Sequence, residues 1–459
     1  MVLLLALLAS PCALAAEPAW VTTVDLPGAA GPPATRCATT ATFPPLPPRV
    51  DRPEVEDTRT AGMVEIDVAP GADNTHLPPD VRARALVPVD LASLPATPLE
   101  GSASAIRHVV GVLGRAATEP VRVAMWGDSL TAGGPLPGGV RTVLQARYGD
   151  AGRGYALPAP PWRAWNTAEL ARCAAGVWTG ESQRTKDGHA DGLYGLAGIT
   201  VESTDPAATA WIEGTASRVE LLYLRQPGGG RVRVQVDDTA PIDVPTAAAA
   251  AGPGALVLRV PDGPHRVALS IVGDGPVRLL GAHFERDVPG VVLDGMGIAG
   301  GTAHDWSAWN EPLMTALAAR RPPDLVLVEY GTNETTVPNM TPERYREGLR
   351  EMLAKLRRVS PDAACVLVAP PDRGQKVLGT RYALWSPIEW VTRIQAEQAP
   401  LFGCATWSMQ RAMGGPGSTF GWRLADPPLM GADFLHLTPT GYEALGKRLG
   451  DALVAAAEQ

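Results

Sequence analysis

Three short clusters in this 459-residue chain carry side chains suited to chemistry. Gly127-Asp128-Ser129-Leu130 presents a serine directly after an apolar run, VRVAMW at Val121 to Trp126. A serine at such a strand-to-helix turn sits where backbone N–H groups stabilise a developing oxyanion. Gly331-Thr332-Asn333-Glu334 follows a second apolar run, LVLVEY at Leu325 to Tyr330, and its asparagine amide is a further donor for the same anion. Asp433-Phe434-Leu435-His436 places a histidine three residues after a carboxylate. One ring nitrogen can then face the carboxylate and the other a serine hydroxyl. Taken singly, each cluster has a plainer reading as a helix N-cap, a turn or a surface histidine. Together they permit attack of an activated serine on an acyl carbonyl, with neither cofactor nor metal.

Such residues meet only if the fold brings three loops to one rim. Apolar runs alternate with helical periodicity along the chain, which predicts strands at Val121 to Trp126, Val291 to Gly297, Leu325 to Tyr330, Cys365 to Ala369 and Cys404 to Trp407. Helices are expected between them: one ending near Tyr148, then Asp305 to Arg320, one from Thr341-Pro342 and one over Ile388 to Gln398. A last helix starts at Thr438 and carries Tyr442, Leu445, Leu449 and Leu453 on one face. Strand-helix repeats of this kind predict a parallel sheet covered by helices on both faces, with ligands at the carboxyl ends of the strands.

Two regions break the alternation. Between Tyr155 and Pro289 lie short stretches of alternating hydrophobicity, Val219 to Leu224, Arg231 to Val236, Leu256 to Val260 and Arg266 to Val272. Turn signals separate them, among them Pro261 to His265, so an inserted all-β sandwich is expected. From Glu17 to Glu100 the chain is rich in Pro, Ala and Thr, including FPPLPPR at Phe43 to Arg49. That composition predicts a linker or extended arm, with a short strand near Met63 to Val68. Met1 to Ala16 is a leucine-rich run ending in small residues and reads as a signal peptide, though no Lys or Arg precedes it.

Composition narrows the partners. The chain is 45% hydrophobic and 19% charged, with a net charge of −8 and no Lys/Arg block, which argues against nucleic-acid or anionic-membrane binding. No apolar run reaches the ~18 residues of a membrane span. Beyond the leader, Cys37, Cys173, Cys365 and Cys404 permit two disulfides in any of three pairings. Cys365 and Cys404 each enter an expected strand.

The blocks GDSL at Gly127, Gly300 within GIAGG, Asn333 in GTNE, and Asp433 with His436 resemble the four blocks of the SGNH (GDSL) hydrolases, over Val121 to Gly154 and Val291 to the C-terminus. The resemblance implies a flavodoxin-like three-layer α/β fold in which Ser129 is the nucleophile, His436 the general base and Asp433 its orienting acid. The oxyanion hole would comprise the Ser129 N–H, the Gly300 N–H and the Asn333 side chain. Glu334 stands where many members have aspartate. A narrower stretch, WSMQRAMGGPGS at Trp407 to Ser418 followed by Trp422, is similar to bacterial peptidoglycan O-acetylesterases, as is VLQARYGDAGRGY after the serine. Those enzymes also carry a β-sandwich, resembling a carbohydrate-binding module, inserted after the first helix.

The resulting expectation is a signal peptide at 1–16, an arm at 17–100, a hydrolase domain split into 101–154 and 290–459, and an inserted sandwich at 155–289. The implied activity is that of an exported carbohydrate O-acetylesterase, periplasmic or secreted, acting on an O-acetylated glycan. Two alternatives stand beside it: a polysaccharide O-acetyltransferase using the same triad, and a non-catalytic wall-polysaccharide-binding protein. Trp407, Trp422 and the pair Trp162/Trp165 are candidates for stacking on sugar faces, although core packing is the weightier reading for each taken singly, with Trp178, Tyr194 and Trp211 as candidates in the insert.

Overall fold

Five strands apolar on both faces, Pro120–Gly127, Gly290–Gly297, Leu325–Glu329, Ala364–Ala369 and Cys404–Ser408, pair in parallel. The computed structural model describes residues 17–33, 58–162, 170–184 and 191–458. Across the sheet the strands lie in the order second, first, third, fourth, fifth, the flavodoxin-like arrangement whose ligand crevice opens beside the first strand. Register does the positioning. Gly127 pairs with Gly297 on one side and with Glu329 on the other, so the loops bearing Ser129, Gly300 and Asn333 leave the sheet side by side.

Alternate residues of each strand feed two cores. Val121, Val123 and Met125 pack with Val109, Val140, Leu445 and Leu449 of helices Ala103–Arg115, Pro135–Tyr148 and Pro439–Ala457. Ala124 and Trp126 pack on the other face with Leu313, Leu353 and Ile394 of helices Glu311–Ala318, Pro342–Val359 and Pro387–Gln398. Thr341 and Thr438 cap their helices by accepting the Arg344 and Gly441 N–H groups, as the Thr-Pro starts predict. The single helix expected over Asp305 to Arg320 is broken instead. A 3-10 turn, Ala303–Ala308, precedes a new start at which Asn310 accepts the Leu313 N–H and Pro312 sits in the first turn.

Between the Pro135–Tyr148 helix and the Gly290–Gly297 strand the chain forms mostly antiparallel β structure. Its long strands, Thr209–Arg225 and Gly252–Ile271, pair along most of their length. The turn expected at Pro261 to His265 is instead a register shift between Arg259 and Gly263 within one strand. Neighbours differ on either side of it: Ala255 to Arg259 pair with Val21–Asp25, Val267 to Ile271 with Arg231–Val236. Ile212, Leu221, Val234, Leu256, Val267 and Leu279 nonetheless share one apolar core.

This β region is joined tightly to the parallel sheet. Tyr194, Leu196 and Ile199 are buried with Trp126, Met296 and Ile298, and the Trp126 indole N–H donates to the Leu196 carbonyl at 2.7 Å. Buried Arg321 pairs with Glu285 at the end of the β region and with Asp294 of the parallel sheet.

Where it is described, the expected arm contributes strands, a helix and core residues. Val21–Asp25 adds to the β region, and Glu65–Asp67 joins the hairpin Gly374–Leu378/Arg381–Leu384 as a third strand. Ile66, Leu77, Ala85 and Leu99 are buried in the first of the two cores, with Val109 and Leu445. Sparse apolar anchors suffice here because backbone pairing and a short helix, Pro79–Leu86, order the chain between them. The expected signal peptide, Phe43 to Arg49, Cys37 and Trp165 lie outside the described residues. Cys365 and Cys404 face each other on paired strands and form a disulfide; Cys173 is also disulfide-bonded. Among the described residues no helix is long and apolar enough to cross a membrane.

Candidate active site

Gly127 ends the first strand where no other residue fits: a Cβ there would lie 2.3 Å from Thr131 Oγ1 and 2.6 Å from Glu329 Oε2. The chain then turns at Asp128, whose Oδ1 accepts the Leu130 N–H at 2.9 Å, and Ser129 opens a single helical turn, Ser129–Ala132. The long helix begins only at Pro135. Ser129 Oγ lies 3.2 Å from His436 Nε2, and His436 Nδ1 lies 2.7 Å from Asp433 Oδ2. The three residues form a hydrogen-bonded serine–histidine–aspartate chain.

The Asp433 carboxylate is well held for a half-exposed group. Burial pushes its pKa up, but hydrogen bonds from the His436 ring and from the His436 and Leu435 N–H groups outweigh this and lower it to about 2. That geometry depends on Phe434, which adopts a left-handed backbone at φ 53°. A β-carbon disfavours this conformation, and packing of the ring against Tyr382 and Phe420, at centroid distances of 4.6 and 4.9 Å, maintains it.

Behind the serine lies a layer of buried carboxyls. Asp128 Oδ2 accepts the Asn333 amide at 3.0 Å, and burial raises the Asp128 pKa to about 6. Glu329 Oε2 accepts the Asp128 N–H at 3.2 Å and the Thr131 hydroxyl at 3.1 Å. Burial, and then the neighbouring Asp128 charge, push Glu329 well above the usual carboxylate range. Glu334 accepts the Ala303 N–H at 2.8 Å and the Gly331 N–H at 3.0 Å, tying the Gly300 and Asn333 loops together; burial raises its pKa to about 7.

Gly300 adopts φ 71°, a glycine conformation, on the loop after the second strand. The Asn333 amide nitrogen donates to Asp128 Oδ2 and to the Gly301 carbonyl, both at 3.0 Å. Both of its hydrogens therefore have acceptors, and donation to an oxyanion requires exchanging one of them. Beside these loops opens a cavity of about 410 Å³ lined by Arg184, Thr302, Asp305, Val337, Met340 and Arg344, among others.

The aromatic candidates fare differently. Trp407 and Trp422 are only 1% and 0% exposed, and their indole N–H groups donate to the Thr97 and Met413 carbonyls. They are core residues and touch no cleft, because the packed 58–100 segment and the following helices cover them. Trp178 and Tyr194 are likewise buried, while Trp211 lies under the Arg266 guanidinium at 4.2 Å. Trp162 is half-buried against the second core. The sequence reading missed Glu329 as a support, although a carboxylate ending an otherwise apolar strand was the available signal. Glu334, where many members of the resembled family have aspartate, supplies the ties to Ala303 and Gly331. Among the described residues no cluster of three or more His, Cys, Asp or Glu is placed to hold a metal ion.

A hydrogen-bonded serine, histidine and aspartate at the rim of a parallel sheet is an arrangement suited to nucleophilic acyl chemistry. Residues 269–444 match the GDSL-like Lipase/Acylhydrolase family, a span that contains Gly300, Asn333, Asp433 and His436; Ser129 precedes it. Over that span the chain is similar to GDSL-like lipases and acylhydrolases. A solved structure described as "Peptidoglycan O-acetylesterase in action, 5 min" shares the fold at a TM-score of 0.62 and 23% identity, covering 78% of this chain and 97% of that one. A family two carbohydrate esterase from Clostridium thermocellum in complex with cellohexaose aligns at a TM-score of 0.26 and 12% identity, over 55% of this chain and 93% of that one. One from Cellvibrio japonicus aligns at 0.27 and 13%, over 63% and 98%. No curated protein matches the chain in sequence.

Proposed function

We propose that the chain is an exported serine esterase that removes O-acetyl groups from a cell-wall glycan, with peptidoglycan as the leading substrate. The carrying observation is the Ser129–His436–Asp433 chain, with spacings of 3.2 and 2.7 Å. His436 Nε2 takes the Ser129 proton as the oxygen attacks the acetyl carbonyl. The proton then passes to the departing sugar oxygen, leaving acetyl-Ser129. Water, deprotonated by the same ring, releases acetate and restores the serine. The Ser129 N–H, the Gly300 N–H and the Asn333 amide serve the tetrahedral anion, each worth about 3 kcal/mol of barrier.

The sugar substrate is supported by the fold shared with a peptidoglycan O-acetylesterase. Export is supported by the apolar Met1 to Ala16 segment and by the Cys365–Cys404 disulfide, a bond that persists in oxidising compartments. Hydrolysis is favoured over transfer to a sugar by the open base: the His436 side chain is 44% exposed, so water reaches it freely. The test is incubation with O-acetylated peptidoglycan and O-acetylated xylan, with and without a free sugar acceptor. Acetate release from peptidoglycan without acetylated acceptor is expected, unchanged by EDTA. Acetylated acceptor as the main product would make the protein a transferase, and no turnover of any ester would leave a binding protein.

A further inference from the structure

Among the described residues of the β region, Arg184 reaches the loop that carries Gly300. Arg184 follows the strand Thr179–Ser182, and its Nη1 donates to the Ala299 carbonyl at 2.9 Å. The guanidinium lies over Gly300 so closely that a Cβ at that position would come within 2.1 Å of Nη1. Asp305 holds it from the other side, with Nε 3.4 Å from Oδ2, and that carboxylate is itself fixed by the Thr302 N–H and hydroxyl at 2.8 and 2.9 Å. The supporting hairpin is seated as well. Gln183 N–H donates to the Gly198 carbonyl, and a Cβ on Gly198 would lie 2.8 Å from Ile298 Cδ1, one residue before Ala299.

We propose that Arg184 is a positioning residue for the oxyanion hole, supplied by the inserted β region. The Ala299 carbonyl and the Gly300 N–H belong to one planar trans peptide and point in opposite directions. Holding the carbonyl on one side fixes the direction of the N–H on the other. A charged donor on the carbonyl also polarises the peptide and strengthens its N–H as a donor. The proposal rests on the reading that the Gly300 N–H serves the acyl oxyanion. It changes the role of the insert, which then shapes the chemical step even for an ester too small to touch a glycan surface.

The experiment is steady-state hydrolysis of 4-nitrophenyl acetate by the full chain, with thermal midpoints measured in parallel. Arg184→Ala should lower kcat about tenfold and leave KM within about twofold, less than outright removal of a donor. Arg184→Lys keeps a cation and a donor and should recover at least half of the lost kcat; it also decides the matter if Arg184→Ala folds poorly. Wild-type kcat in Arg184→Ala, or a folded Arg184→Lys as impaired as the alanine variant, would overturn the proposal. Ser129→Ala runs alongside: if it retains wild-type turnover, the serine-esterase reading itself fails, a result separable from any outcome at Arg184.

Discussion

Ser129 and the expected oxyanion donors rest on Asp128, Glu329 and Glu334, carboxyls 0%, 0% and 2% exposed, whereas the Asp433 and His436 side chains are 52% and 44% exposed in a loop. The side of the proposed nucleophile is cross-tied: Asp128 to Asn333, Asn333 to Gly301, Glu334 to Ala303 and Gly331. The proposed acid–base side is an exposed turn, Asp433 to His436, held by the Phe434 ring and by the Gly431 N–H on the His436 carbonyl. The difference fits the two tasks. Donors that stabilise a transient anion must not reorganise as charge develops. A base that alternately accepts and returns a proton must meet water as well as serine.

The largest effect that separates the two sides is loss of the base. His436→Ala should lower kcat by about 10⁴–10⁶. Its thermal midpoint should stay near wild type, because the ring is half-exposed. A large fall in stability would show that the loop is structurally coupled to the core after all. Asn333→Ala should act on both properties. Loss of the amide should reduce kcat by about 10²–10³ with a smaller change in KM. It also strips an acceptor's partner from buried Asp128, costing about 1–3 kcal/mol in a denaturation series. If only stability moves, the amide is a strut and not an oxyanion donor.

Smaller effects appear in the pH dependence of stability, with opposite signs for the two sides. Asp128 and Glu334 are raised in the fold to about 6 and about 7, above ordinary carboxylate values of about 4. The folded state therefore holds more protons between these limits. Their contribution is complete below about pH 4 and is lost as pH rises through about 6 to 7. Asp433 is lowered to about 2, so its contribution is present above about pH 4 and lost as pH falls toward 2. Thermal midpoints from pH 3 to 8 should show Glu334→Gln flattening the neutral-side decline and Asp433→Asn reducing the acid-side loss. The reverse assignment would break the contrast between the two sides.

Much of this architecture was legible in the sequence because its signals are local. Apolar runs ending in GDS and GTN, and Thr-Pro helix starts, located strands and caps at once. The illegible parts depend on distant partners. Nothing in PDGPH at Pro261 to His265 distinguishes a turn from a bulge until pairing with Arg218 and Ala216 is known. The proline-rich segment read as an arm because its apolar residues are few, yet Ile66 and Leu99 find a core made by residues far along the chain. Whether Trp407 meets a sugar or packs in the core turns on the same segment, which covers it and accepts its indole N–H at the Thr97 carbonyl. Arg184 carries no local sign of its role, since its acceptor, Ala299, is 115 residues away.

The central claim, that Ser129 is the nucleophile of an acyl-ester hydrolase, is tested most directly by covalent trapping. The full chain is treated with a fluorophosphonate, a probe that phosphonylates activated serines, and then mapped by peptide mass spectrometry. One adduct per chain, located on Ser129, should form as hydrolysis of 4-nitrophenyl acetate is lost, and Ser129→Ala should remain unlabelled. An adduct on another residue that abolishes turnover, or full turnover with Ser129 phosphonylated, would contradict the account.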